Sequence, residues 1–127
     1  MKIIGIGVDV VEIARIAGSI ERHGDRFLRR VFTDQEQEYC GALKHAAQSY
    51  AARFAAKEAV SKAFGTGIGA NLGWLDIEVR RKPTGEPYAL LHGAGAALAK
   101  RLGVTDVLLS LSHSEHYAVA NAVVIGE

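Results

Sequence analysis

The pattern of hydrophobic and polar residues predicts a strand followed by helices in the first half of the chain. Residues 3–11 are rich in Ile and Val, which predicts a buried strand. Hydrophobic residues then recur with helical spacing over residues 12–23, and Gly24 is expected to interrupt that helix. The longest helix is predicted over residues 45–64, because its many alanines favour helix and allow close packing. Between these helices, the capping sequence Thr33-Asp34-Gln35-Glu36 predicts the start of a short one.

The second half of the chain is dominated by strand periodicity. Residues 74–81 alternate hydrophobic and polar side chains, residues 82–87 form a predicted turn, and residues 88–92 return as the hairpin partner. A short helix and two further strands are predicted at residues 94–102, 107–112 and 117–125. Together these elements predict one α+β domain, with helices packed on a mostly antiparallel sheet.

Composition and charge narrow the classes of function. The 127 residues suffice for one domain that buries roughly two thirds of its unfolded surface. A net charge of +1 gives no reason to expect a nucleic-acid partner. The single cysteine, Cys40, excludes an intramolecular disulfide and suits a reducing compartment. The N-terminus does not have the pattern of a signal peptide, and no apolar run approaches the ~20 residues of a membrane helix. We therefore expect a cytoplasmic protein that does not bind membranes.

Two carboxylates in different elements are candidate ligands for magnesium. Asp9 follows the apolar residues of the first strand, and Glu58 lies on the long helix. Magnesium is usually held by one or two carboxylates, with substrate phosphate completing its coordination. Each residue also has a simpler interpretation. Asp9 could cap the following helix, and Glu58 could be an exposed partner of Lys62, which lies one turn further along.

A lysine and a glycine-rich segment near Glu58 suggest phosphate chemistry. Lys62 could neutralise a phosphate that gains charge as its bond breaks, or protonate the leaving oxygen. The segment Gly65-Thr66-Gly67-Ile68-Gly69 offers backbone amides to phosphate oxygens. It is not a Walker sequence, and it follows a helix C-terminus, where the helix dipole disfavours anions. The alternative is a glycine that ends the helix and begins a mobile loop.

Arginines in the first helical region form a second candidate site. Arg15, Arg22, Arg26 and Arg29 are spaced seven, four and three residues apart, which keeps them on one face if the helix persists. Such a face is usually only a solvated surface. The functional interpretation is a docking site for an acidic partner, because arginine pairs well with carboxylates. His113, near the predicted turn at residues 112–116, could donate to a phosphate.

Several motifs resemble the holo-acyl-carrier-protein synthases, the short bacterial-type 4′-phosphopantetheinyl transferases. The resemblance covers essentially the whole chain, and the order and spacing of its motifs are specific. They are Gly7-Val8-Asp9 with Arg15, Arg53-Phe54-Ala55-Ala56-Lys57-Glu58-Ala59 with Lys62-Ala63, Gly65-Thr66-Gly67-Ile68-Gly69, Leu109-Ser110-Leu111-Ser112-His113, and Tyr117-Ala118-Val119-Ala120. The family transfers phosphopantetheine from coenzyme A to a serine hydroxyl of acyl carrier protein and releases adenosine 3′,5′-bisphosphate.

The resemblance implies roles for individual residues. Asp9 and Glu58 would hold magnesium, or alternatively manganese, against the coenzyme A pyrophosphate. Glu58 would help to deprotonate the serine, directly or through a metal-bound water, and Lys62 would stabilise or protonate the leaving phosphate. Coenzyme A would be contacted by Gly65, Thr66, Gly67 and Arg53, its 3′-phosphate end by His113, and its adenine end by Pro87. The carrier protein would be bound by Arg15, Arg22 and Arg26.

The resemblance also implies a homotrimer with active sites between subunits. One position departs from the family pattern: the chain has Gly85-Glu86-Pro87 where the family commonly has Gly-Lys-Pro. Glu86 thus replaces a cation, and a direct phosphate contact from that position is in doubt. Two other functions remain open from the residues. One is a non-catalytic module that binds a nucleotide or an acidic peptide through its arginines. The other is a magnesium-dependent nucleotide hydrolase, which would not explain the arginine face.

Overall fold

The computed structural model describes all 127 residues and contains five α-helices and five β-strands. The strands are β1 (Lys2–Glu12), β2 (Ile77–Arg81), β3 (Pro87–Leu91), β4 (Val104–His113) and β5 (Tyr117–Gly126). The helices are α1 (Ile13–His23), α2 (Asp25–Val31), α3 (Asp34–Gly41), α4 (Ala46–Ala63) and α5 (Gly93–Leu102), with one 3-10 helix at Trp74–Asp76. The predicted α+β class is confirmed. No helix is both long and apolar enough to cross a membrane.

The strands form two antiparallel sheets. β5 lies between β1 and β4 in a three-stranded sheet, and β2 pairs with β3 in a separate hairpin. The long helix α4 packs across β1 and β5, and buries its alanines against the small residues of those strands. This contact forms the centre of the hydrophobic core and fixes where α4 lies relative to β1.

Two glycines of β1 allow α4 to approach the strand closely. A Cβ atom at Gly5 would lie 1.8 Å from the carbonyl oxygen of Ala63, and one at Gly7 would lie 2.0 Å from that of Ala59. Any larger residue at either position would force the helix away from the sheet. These glycines therefore bring Asp9 on β1 close to the side chains of α4.

Sequence patterns located the elements well and misjudged three features. Trp74–Asp76 is a 3-10 helix and not the beginning of a strand, because the Asp76 carboxylate accepts a hydrogen bond from the Gly73 amide at 2.7 Å and closes a turn. The predicted strand at 107–112 is longer, and spans Val104–His113. β1 is not buried on both faces: the face away from α4 exposes Ile6, Val8 and Val10, each at 58% or more.

Candidate active site

Asp9, Glu58 and Lys62 lie together where β1 meets α4. The Lys62 ammonium group donates to the Asp9 carboxylate at 3.0 Å and to the Val8 carbonyl at 3.1 Å. Asp9 is largely buried, and half of the Lys62 side chain is exposed. Asp9 does not cap α1, because the N-cap residue is Glu12. Lys62 pairs with Asp9 rather than with Glu58, so neither of the simpler interpretations describes this cluster.

The charge state of Glu58 depends on its neighbours. Burial raises the pKa of the Glu58 carboxyl group, and the negative charge of Asp9 raises this pKa further. The positive charges of Lys62 and Arg15 act in the opposite direction. The arrangement thus makes the Glu58 carboxylate a better proton acceptor than a glutamate in water.

The donor set of this cluster fits a magnesium ion that also binds a substrate phosphate. Asp9 and Glu58 supply hard oxygen ligands, and their mutual repulsion is the kind that a bound cation relieves. No cluster of three or more His, Cys, Asp or Glu residues could enclose a metal by itself. A site with only two carboxylates leaves coordination positions for water and phosphate, as magnesium prefers.

The backbone amides of the glycine-rich loop after α4 do not point to an open phosphate site, as the sequence had suggested. Its amides were expected to face phosphate, but those of Thr66 and Gly67 donate to the Ser61 carbonyl at 3.2 and 3.1 Å. The Gly65 amide donates to Lys62 and the Gly69 amide to Leu72. The bonds to Ser61 and Lys62 satisfy carbonyl groups at the end of α4, which explains why Gly65 and Gly67 adopt positive φ angles. Of the five amides, only that of Ile68 has no backbone partner, so the loop does not offer a row of free donors.

A cavity of about 490 Å³ lies beside the N-terminal half of α4 and includes two of the predicted coenzyme A residues, Arg53 and His113. Its lining contains no acidic residue. The full set of lining residues is Tyr39, Leu43, Lys44, His45, Gln48, Ser49, Ala52, Arg53, Arg81 and His113. Pro87 does not line the cavity, but it pairs across the hairpin with Arg81, which does. This concentration of cationic and imidazole groups favours an anionic ligand.

The carboxylate cluster and the cavity lie on different sides of α4. Arg53 and Glu58 are five residues apart, which places them about 140° apart around the helix axis. On one side of α4, the cavity is bounded by α3 and the end of β4. On the other side of α4, the carboxylate cluster faces β1 and α1. One copy of the chain therefore brings together Asp9, Glu58 and Lys62, and separately Arg53 and His113.

The predicted docking arginines lie on two helices. α1 ends at His23, and the φ of 52° and ψ of −132° at Gly24 are incompatible with a continuous helix. Arg22 lies at the end of α1, while Arg26 and Arg30 on α2 line a small surface pocket with His23 and Phe27. Arg15 lies apart from them, 5.9 Å from the centre of the Phe54 ring and within electrostatic reach of Glu58. The arginines therefore do not share one helical face: Arg22 and Arg26 lie around the junction of α1 and α2, and Arg15 lies near the carboxylate cluster.

One buried residue of the site region was missed by sequence reasoning. The Lys57 side chain is fully buried beside Glu58 and pairs with the Glu36 carboxylate at 2.7 Å. Lys57 also donates to the carbonyls of Val31 at 2.7 Å and Trp74 at 3.0 Å. Its position next to Glu58 in a helix with several charged residues gave no sign of this burial. Lys57 ties α4 to α2 and to the 3-10 helix, and so fixes the helix that carries Glu58 and Lys62.

Comparison with known proteins identifies the family of this chain. The family model described as the 4′-phosphopantetheinyl transferase superfamily matches residues 5–122. The chain is 50% identical to the holo-acyl-carrier-protein synthase of Koribacter versatilis, with 95% of this chain and 97% of that protein covered. It is also 50% identical to that of Chlamydia felis, with 98% of this chain and 99% of that protein covered.

Solved structures show the same fold. The Neisseria meningitidis holo-acyl-carrier-protein synthase superposes with a TM-score of 0.92 at 31% identity, covering 98% of this chain and 99% of that one. The Helicobacter pylori enzyme in complex with coenzyme A gives a TM-score of 0.85 at 34% identity, with 94% and 99% covered. The match extends over nearly the whole chain in sequence and in structure. The chain therefore belongs to the 4′-phosphopantetheinyl transferase superfamily, as an enzyme of the holo-acyl-carrier-protein synthase family.

Proposed function

We propose that this enzyme transfers the 4′-phosphopantetheine group of coenzyme A to a serine hydroxyl of an apo acyl carrier protein. The products are the holo carrier protein and adenosine 3′,5′-bisphosphate, and the reaction depends on magnesium. The observation that carries the proposal is the cluster of Asp9, Glu58 and Lys62 in a chain of this family. The relatives are named for this synthesis, and the Helicobacter pylori structure contains coenzyme A.

The side chains of the cluster divide the chemistry between them. The serine oxygen attacks the phosphorus that carries pantetheine, and the bond from that phosphorus to the bridging pyrophosphate oxygen breaks. Glu58 accepts the serine proton, because its half-buried carboxylate lies beside Asp9 and Lys62, where the substrate phosphate would bind. Lys62 lies 3.0 Å from Asp9, from where its ammonium group stabilises or protonates the leaving phosphate. Magnesium held by Asp9 and Glu58 would neutralise charge on the pyrophosphate oxygens.

The cavity beside α4 is the proposed site for the nucleotide end of coenzyme A. Arg53 and His113 face it and would contact the 3′-phosphate, and the absence of acidic residues from its lining supports this. Pro87 would lie near the adenine, next to Arg81 in the hairpin. Glu86 pairs with Lys82 at 3.7 Å, so the acidic side chain at this turn already has a cationic partner.

The proposed enzyme is a homotrimer with active sites between subunits. The face of the three-stranded sheet opposite α4 exposes Ile6, Val8, Val10 and Tyr117, each at 50% or more. An apolar surface of this kind favours association with another copy. Association would also allow the cavity of one subunit to meet the carboxylate cluster of its neighbour, so that one coenzyme A molecule contacts both. A cytoplasmic location belongs to the same proposal, and the free, buried thiol of Cys40 suits it.

Intact-mass spectrometry of an apo acyl carrier protein tests the reaction directly. Incubation with the enzyme, coenzyme A and magnesium should add ~340 Da, the mass of one phosphopantetheine group, and EDTA should prevent the gain. Asp9→Ala and Glu58→Ala should abolish it, while Glu12→Ala, at an exposed residue of the same strand, should not. Binding of coenzyme A without any mass gain would instead indicate a non-catalytic binding module. Loss of coenzyme A without modification of the carrier protein would indicate a nucleotide hydrolase.

A further inference from the structure

Arg53 is a buried cation without a counterion. The residue is 2% exposed, and its guanidinium group forms no ion pair with any carboxylate. One nitrogen donates to the Ser49 hydroxyl at 2.9 Å, and the buried Nε atom has no hydrogen-bond partner. A buried charge usually has a partner of opposite sign, because leaving water is costly. Arg53 lines two cavities, and only the larger, with a volume of about 490 Å³, has no acidic residue in its lining. A ligand in that larger cavity best supplies the missing partner.

Two uncharged side chains hold Arg53 in place. The Tyr39 ring of α3 lies against the guanidinium group, with 4.5 Å between the ring centre and Cζ. Ser49 lies one turn before Arg53 on α4, and its oxygen accepts the hydrogen bond from the arginine. The same oxygen lies 3.1 Å from the Cys40 sulfur. Burial raises the pKa of the Cys40 thiol, so this group also stays neutral.

These contacts fix the orientation of the arginine without neutralising its charge. An aspartate or glutamate in place of Tyr39 or Ser49 would hold Arg53 equally well, but would compete with an anionic ligand. A ring face and a hydroxyl oxygen orient the guanidinium group and leave its charge available. Lys44 and Arg81 line the same cavity and add positive charge around it.

We infer that Tyr39 and Ser49 are positioning residues that hold Arg53 for the terminal 3′-phosphate of coenzyme A, and so determine the preference for coenzyme A over 3′-dephospho-coenzyme A. This inference rests on the proposed function, and it adds two residues that do not themselves react. Tyr39 and Ser49 act on the phosphate through Arg53, so changing either should affect the donor that carries the 3′-phosphate most.

Transfer kinetics with the two donors test this inference. Tyr39→Leu should lower kcat/KM for coenzyme A by roughly 3- to 30-fold through KM, because it removes the cation–π contact. It should change kcat/KM for 3′-dephospho-coenzyme A by less than about twofold, since that donor lacks the phosphate. Tyr39→Phe keeps the ring and should restore the preference. Equal losses with both donors, or no loss with coenzyme A, would overturn the inference.

Ser49→Ala provides a second variant with a smaller change of shape. It removes the acceptor for Arg53 and should reduce the preference for coenzyme A by roughly 3- to 10-fold. A circular dichroism melting curve for each variant shows whether it folds. If Tyr39→Leu fails to fold, Ser49→Ala decides the outcome: an unchanged preference contradicts the inference, and a reduced one supports it.

Calorimetry separates this inference from the proposed function. Wild-type protein should bind adenosine 3′,5′-bisphosphate more tightly than adenosine 5′-monophosphate, and both variants should reduce that difference. If the wild type transfers nothing to the carrier protein, the proposed function fails, yet this binding difference still tests the roles of Tyr39 and Ser49. If the wild type transfers the group but binds both nucleotides equally, the inference fails and the proposed function stands.

Discussion

At the level of single residues, the pKa of Glu58 is raised by some neighbours and lowered by others, and each effect can be tested separately. Burial and the Asp9 charge raise the pKa of its carboxyl group above 4.5, while Lys62 and Arg15 lower it. A general base must be deprotonated, so kcat/KM should fall as the pH drops through this pKa. In the metal-free protein, where the pKa is raised, Glu58 should take up its proton at a higher pH than an ordinary glutamate.

We predict that substitutions around Glu58 move its pKa in opposite directions. In metal-free protein, Asp9→Asn removes a negative neighbour and should lower this pKa, whereas Lys62→Met removes a positive one and should raise it. Magnesium added to the wild type should lower it, because a bound cation favours the carboxylate. Carbon-13 NMR titration of the glutamate carboxyl groups measures all three. Shifts of this pKa in the same direction in both variants would contradict the proposed arrangement. An unchanged pKa on addition of magnesium would show that Glu58 is not a magnesium ligand.

Lys57 and Glu36 form a buried pair whose members depend on each other. Glu36 also accepts hydrogen bonds from the amides of Thr33 at 2.8 Å and Val79 at 2.9 Å. We predict that Lys57→Met lowers the free energy of unfolding by about 3–5 kcal/mol, because it leaves the Glu36 carboxylate buried and unpaired. Adding Glu36→Gln to that variant should cost much less than Glu36→Gln costs alone.

Urea denaturation at a fixed protein concentration measures these differences, since any association of subunits adds to the apparent stability. The control is Lys82→Met in the exposed Lys82–Glu86 pair, which should change the free energy of unfolding by at most about 1 kcal/mol. Strictly additive effects of Lys57→Met and Glu36→Gln would show that the pair is not coupled.

The sequence predicted some of these residues better than others. Asp9, Glu58 and Lys62 were candidates from residue type and motif, and the structure places them together. The burial of Lys57 was not predictable, because it depends on carbonyl groups from Val31 and Trp74, which are distant in the chain. Tyr39 and Ser49 were missed for the same reason, since no local pattern shows that α3 packs beside Arg53.

At the scale of elements, local signals located helix ends most reliably. The capping box at Thr33 and Glu36 is present as predicted, with the Glu36 amide donating to the Thr33 hydroxyl at 3.2 Å. Local hydrogen bonds of this kind are encoded by neighbouring residues. The exposure of one face of β1 was not predicted, because an Ile- and Val-rich strand has the same pattern whether one or both of its faces are covered within the chain.

The arginines of α1 and α2 are expected to bind the acidic carrier protein. Arg22→Glu and Arg26→Glu should raise KM for the carrier protein by about tenfold or more and leave KM for coenzyme A nearly unchanged, because charge reversal repels an acidic partner. Arg15→Glu is less selective, since Arg15 also acts on Glu58. Steady-state kinetics with each substrate varied in turn measures the effect.

Arg101→Glu is the matched control, because Arg101 is an exposed arginine on α5, a different helix. It should leave both KM values unchanged. A similar rise in KM for the carrier protein with Arg101→Glu would show that only net charge matters. Equal rises for both substrates with Arg22→Glu or Arg26→Glu would exclude a docking role for those residues.

At the scale of the whole molecule, the two halves of the proposed site are separated within one chain. Glu58 and Arg53 point about 140° apart around α4, so coenzyme A bound to both from the same chain would have to pass around the helix. In the proposed homotrimer, a second subunit would remove this difficulty by presenting its cavity to the carboxylate cluster of the first. The sequence predicted both groups of residues but not their separation, which follows from the packing of α4 between β1 and α3.

Complementation between two defective subunits tests the shared site. We predict that Glu58→Gln and Arg53→Ala are each strongly impaired alone, and that co-expression restores transfer. Each site would need an intact Glu58 from one subunit and an intact Arg53 from its neighbour, so random mixing should yield about a quarter of wild-type activity. Differently tagged subunits allow mixed assemblies to be purified and assayed. As a control, subunits carrying both substitutions, mixed with the Glu58→Gln subunit, contain no intact Glu58 and should remain inactive. Mixed assemblies without any recovery of transfer would place each site within a single chain, and a monomer by light scattering would exclude the assembly itself.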